Sequence, residues 1–141
     1  MRLKDSLFSP PEPRPTYHHD VLGDMNFSED DEAWAALLNG ITLFIAYTAQ
    51  SEPDPVLIEY GISLVKERAW LESEIESAAH QFALRDAFYQ NEVRGLKIGG
   101  IYVDRRKGIN SALVDLTGGR DYRAWRLEFT ERICMGMGFD S

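Results

Sequence analysis

The sequence carries one cysteine, Cys134, in 141 residues. That excludes an internal disulfide framework and fits a chain working in a reducing compartment. No apolar run approaches the ~20 residues a membrane-spanning helix needs. The most concentrated patch, residues 41–46, is strand-sized. The first residues offer no apolar signal core, because they pass at once into charge and proline. A cytoplasmic protein is the expectation, with no membrane role. The glycines at 95, 99, 100, 118, 119, 136 and 138 match no phosphate-cradling pattern, since none opens a helix after a strand. No cofactor is expected on that ground.

Positive charge is also scarce. The formal net charge is −8, which argues against nucleic acid as a partner, because polyanions are repelled at long range. The imbalance is uneven. Residues 1–92 hold 6 basic and 17 acidic side chains, whereas residues 93–132 hold 9 basic and 5 acidic ones. Either the two parts complement each other within one fold, or an acidic face recruits a basic partner.

What is present is a folding pattern. At 44% apolar and 11% aromatic, the chain is long enough to bury a core as one domain. Four of the six prolines lie at 10, 11, 13 and 15, so residues 1–16 are expected to be an extended arm outside a domain spanning 17–141. The residues from Tyr17 to Phe27 read as a weak strand and those from Ser28 to Glu32 as a charged turn. Two apolar runs, Trp34 to Leu38 and Ile41 to Thr48, flank Asn39-Gly40, a type I′ hairpin signal. Asp54-Pro55 reads as an N-cap followed by proline at the first helical position, opening a helix over 55–68. A second helix is expected from about Trp70 to Gln90, striped by Leu71, Ile75, Ala78, Ala79 and Phe82. Gly95 ends the helical region. Residues 96–103 form a strand with a bulge at Gly99-Gly100, and residues 104–108 a turn. The C-terminal part is a hairpin turning at Gly118-Gly119, in which Trp125, Leu127 and Phe129 alternate with Arg126 and Glu128, followed by a closing strand over 133–139. The expected class is α+β: antiparallel sheet from both ends of the chain packed against two central helices, in the order three strands, two helices, four strands.

Candidate chemistry is thin. His18 and His19 near Asp20 and Asp24 are metal-ligand types, but adjacent strand residues point to opposite faces, which spoils paired ligation. His80 reads as a partly buried core histidine on the second helix. Cys134 with His80 has no third residue to complete a nucleophilic set. No catalytic or metal residue is assigned. The surface feature that stands out is Glu29, Asp30, Asp31 and Glu32 beside Trp34: a solvated turn on one reading, an acidic patch with an aromatic anchor for a basic protein on the other.

The closing stretch from Tyr122 to Phe129 and from Cys134 to Ser141, with the overall layout, resembles a group of small bacterial immunity-like domains that accompany polymorphic toxins. The resemblance covers residues 17–141 and implies a toxin-neutralising or other protein-binding role. It carries no catalytic residue across. A non-enzymatic protein that occludes a toxin or other basic partner is the first expectation. A small hydrolase or ligand-binding enzyme with a cleft between sheet and helices is the second, and a phage or structural assembly component the third.

Overall fold

The computed structural model describes residues 16–48 and 52–140. The proline-rich stretch 1–15 expected to form an arm lies outside them. Four strands, β1 (Thr16–His19), β2 (Gly23–Ser28), β3 (Ala33–Leu38) and β4 (Ile41–Ala46), are followed by helices α1 (Pro55–Lys66) and α2 (Arg68–Arg85). A 3₁₀ turn (Ala87–Tyr89) and the short helix α3 (Gln90–Arg94) lead into β5 (Lys97–Arg106), β6 (Ile109–Thr117), β7 (Ala124–Thr130) and β8 (Ile133–Asp140). All eight strands form one sheet in chain order.

This corrects the expected class. Among the described residues there are not antiparallel sheets against two helices but a single mixed sheet with three helices: every neighbouring pair is antiparallel except β4 and β5, which run parallel. The cause is the helical excursion between them. A tight turn would reverse the chain, whereas a crossover through helices returns it to the end of the sheet where β4 began. Two further boundaries differ. The stretch read as one strand from Tyr17 to Phe27 is a hairpin, because Gly23 takes φ +69° and the chain doubles back. The helix expected to reach Gln90 stops at Arg85, where Asp86 turns extended and accepts the Phe88 N–H.

Local chemistry explains most of the remaining elements. Asn39 and Gly40 sit at φ 52° and 79°, the positive pair a type I′ turn requires, and join β3 to β4. Asp54 Oδ1 accepts the Val56 N–H at 2.9 Å and Pro55 occupies the first turn of α1. The register slips between Ile98 and Gly100, the bulge the paired glycines signalled.

One face of the sheet is apolar and covered. Leu43, Ile101, Val114 and Leu127 lie side by side across β4 to β7, and all are fully buried. Helix α1 lies against this row, and a Cβ at Gly61 would fall 2.9 Å from the Leu43 methyls, so a side chain there would displace Leu43. Helix α2 docks through aromatics: Trp70 lies tilted against Phe129 with ring centres 5.5 Å apart, and Phe82 meets Trp125 edge to face at 5.1 Å. Full burial of a large apolar side chain contributes roughly 1.5–3 kcal/mol. Trp70 and Phe82 are partly buried and supply a share of that, which matters because the buried residues of α2 are Leu71, Ile75 and Ala79. Tertiary packing rather than helix propensity orders it.

Two polar knots fix the helices to the sheet. Glu92 of α3 accepts hydrogen bonds from the Arg123 guanidinium, the Trp125 indole and the Arg120 backbone, with both charged side chains about nine-tenths covered. The Arg123 guanidinium also lies over the Tyr89 ring, 5.0 Å from its centre. At the opposite end of the sheet, Tyr60 donates to the Glu131 carbonyl at 2.8 Å, and Arg132 pairs with Glu67 while lying over Trp70.

Gly118 turns at φ +102°, and a Cβ there would fall 2.4 Å from the Gly95 carbonyl oxygen. Gly118→Ala is therefore expected to cost at least about 1–3 kcal/mol in urea unfolding; a loss below about 0.5 kcal/mol contradicts the turn geometry. Hydrogen bonds from Arg123 hold the Glu92 carboxyl at about 2, against an ordinary 4.5. A depressed carboxyl stabilises the fold above its unfolded value, and that stabilisation drains away as pH falls from 4.5 toward 2. In thermal melts, Glu92→Gln should lower stability at neutral pH and flatten its loss across that acid window. An unchanged acid limb contradicts the assignment.

Candidate functional site: the free sheet face and its acidic turn

Period two leaves a second set of side chains on the other face, where no helix or strand packs among the described residues. Phe44, Tyr102 and Leu113 stand next to one another across β4, β5 and β6. None belongs to the hydrophobic core or packs against it, and all three keep partial solvent exposure. Their neighbours in the same rows are small: Ala35, Ala33, Ala46 and Gly100 on one flank, Gly136 and Gly138 toward β8. The result is a raised apolar ridge with low shoulders, and Leu37, 67% exposed, continues it on β3.

Carboxylates ring the ridge. Asp104 and Asp115 lie beside it on β5 and β6, Glu128 and Asp140 on β7 and β8. Two cations are already engaged: Arg106 with Asp104 at 2.9 Å, and Arg126 with Asp140 at 2.6 Å and Glu128 at 3.3 Å. The remaining charge comes from the β2–β3 turn. Glu29, Asp30, Asp31 and Glu32 are all exposed. The turn is shaped by Ser28, whose hydroxyl donates to Asp31 Oδ2 at 2.8 Å, and by Glu32, which takes φ 50°.

Electrostatics tie this turn to the face. Crowding by protein lifts the Asp115 carboxyl above its ordinary range although the residue keeps solvent contact, and the Asp31 charge lifts it further. Burial likewise raises Tyr102, with Asp104, Glu32 and Asp31 adding to the effect. Asp31 and Glu32 thus sit within electrostatic reach of Tyr102, and Asp31 of Asp115, with the turn opening β3 where Ala33 pairs with Ala46.

The residues singled out in the sequence are distributed unevenly. Glu29 to Glu32 belong to this surface. Trp34 does not: it lies on the covered face at 3% exposure, edge-on to Phe27, so it packs the core instead of anchoring a partner. Its neighbours Ala33 and Ala36 are buried too, and a strand with two apolar faces gave no sign of which one carried the indole. The aromatic side chains at the acidic surface, Phe44 and Tyr102, lie about ten and seventy residues from the turn, joined to it only by strand pairing. A signal existed in the alternation of residues 41–46 and 101–104, whose even positions had no assigned role.

The other candidates are occupied otherwise. His18 pairs with Asp24 at 2.9 Å, and His19 Nδ1 accepts the backbone N–H groups of Val21 and Leu22, so both serve the β1–β2 turn. Among the described residues no group of three or more metal-ligating side chains is gathered. His80 is solvent-exposed, not the partly buried core residue expected. Burial pushes the Cys134 thiol up, away from thiolate chemistry. No helix among the described residues is long and apolar enough to cross a membrane. No protein-family model, curated protein or solved structure matches the chain.

Replacing Asp31 by Asn is expected to bring the Asp115 carboxyl back down toward its ordinary titration without restoring it fully, since crowding is the larger cause. Carboxyl-carbon NMR titration reads this directly, and no shift at Asp115 contradicts the placement of the turn.

Proposed function

We propose that this chain is a cytoplasmic, non-enzymatic binding protein that seats a basic protein on its free sheet face, neutralising it as an immunity protein neutralises a toxin. The observation that carries the reading is the juxtaposition of the Phe44–Tyr102–Leu113 ridge with Asp31, Glu32, Asp104 and Asp115. An apolar, aromatic centre inside a charged rim is the anatomy of a protein-docking patch: the ridge supplies burial and the rim supplies steering and register. The sign of the rim selects the partner. A second copy of this acidic chain would be repelled, whereas a lysine- or arginine-rich surface would be drawn in, with guanidinium groups stacking on Tyr102 and Phe44. Occlusion of a basic active site by such a face needs no catalytic residue.

The test is binding of the purified product of the adjacent gene, measured by calorimetry on the full chain. A complex at micromolar concentration or tighter is expected, weakening with salt. Reversal of the turn charges (Glu29→Lys, Asp30→Lys, Asp31→Lys, Glu32→Lys) should weaken it at least tenfold, and Tyr102→Ala should do likewise at any salt concentration. Absence of a complex, or affinity indifferent to both changes, removes the proposal.

A further inference from the structure

On the covered side of the sheet, a groove of about 770 Å³ runs between α2 and the segment comprising α3 and the start of β5. Its size falls within the roughly 300–1,000 Å³ of small-molecule sites. One wall is a continuous stripe of α2 from Arg68 to Leu84, which at 1.5 Å per residue makes the groove about 24 Å long. The floor is apolar and recessed: Ile75, Ala79, Val93 and Leu96 are each between 2% and 8% exposed.

The rim is polar, and its two walls differ. On the α2 wall, Arg68 and Glu72 neutralise each other at 2.7 Å, leaving Glu76 and His80. On the facing wall, Arg94 and Lys97 both line the groove, and neither forms an ion pair among the described residues. Two uncompensated cations at the lip of an apolar channel match a ligand with an anionic head and an aliphatic body. The head takes Arg94 and Lys97 and the body lies along Ile75, Ala79 and Val93. Glu76 across the channel directs the head to the cationic wall.

We propose that this groove is a binding site for a small anionic amphiphile of the medium-chain fatty-acid class. The site is separate from the free sheet face, and its occupancy does not depend on a protein partner. The probe is decanoate below its micellar concentration, displacing anilinonaphthalene sulfonate from the full chain, with decanol as the uncharged comparator. One decanoate per chain is expected. The double variant Arg94→Glu with Lys97→Glu should weaken decanoate at least tenfold and leave decanol within about twofold. Ala79→Trp, which fills the floor, should remove binding of both. Tyr102→Ala, on the opposite face, should change neither. The charge variant alters only exposed side chains and decides the matter alone if Ala79→Trp fails to fold. Failure of decanoate to displace the dye, or displacement insensitive to the double charge reversal, overturns the proposal.

Discussion

The parallel seam between β4 and β5 is the constraint on which the rest of the molecule depends. It joins two antiparallel sets of four strands into one sheet, and it exists because the helices among the described residues all lie between those two strands. Leu43 and Ile45 meet Ile101 and Val103 along the seam, all fully buried beneath α1. A single crossover lays its helices on one face of a sheet. The other face is left to solvent, and its side chains are then free to be selected for something other than packing.

That asymmetry accounts for the distribution of charge. The acidic excess of the first 92 residues is partly cancelled within the fold: Glu92 is consumed by Arg123 and Glu67 by Arg132. These pairs tie helix ends to the ends of the sheet. Part of the surplus is carried by the exposed β2–β3 turn, Glu29 to Glu32, with Asp104 and Asp115 beside the apolar ridge. Surface ion pairs such as His18–Asp24 contribute little to stability, with both partners largely exposed. The knots at Glu92 and Tyr60, which are shielded from water, carry more of the burden of holding the helices in place.

Sequence patterns made the local features legible and left the long-range ones hidden. Asn39-Gly40, Asp54-Pro55 and Gly99-Gly100 announce a turn, a helix start and a bulge because each depends on the dihedral freedom or hydrogen bonding of two adjacent residues. The alternation of Trp125, Leu127 and Phe129 announces a half-buried strand for the same reason, and all three are buried. The direction in which β5 joins β4 depends instead on where a fifty-residue excursion ends, which no local period encodes. The Glu92–Arg123 pair, separated by 31 residues, was hidden for that reason, as was the meeting of the acidic turn with Tyr102. Trp34 misled because both faces of its strand are apolar, so period two could not choose between them.

The free face exists only if Leu43, Ile45, Ile101 and Val103 point under the helices while Phe44 and Tyr102 point away from them. Thiol-labelling rates of single cysteines test this most directly, with Cys134→Ser as background and Leu43→Cys, Phe44→Cys, Tyr102→Cys and Val103→Cys as the series. The fold predicts that positions 44 and 102 react at least about a hundredfold faster than 43 and 103, which open only with larger unfolding. Equal rates at all four positions, or protection at 44 and 102, would contradict it.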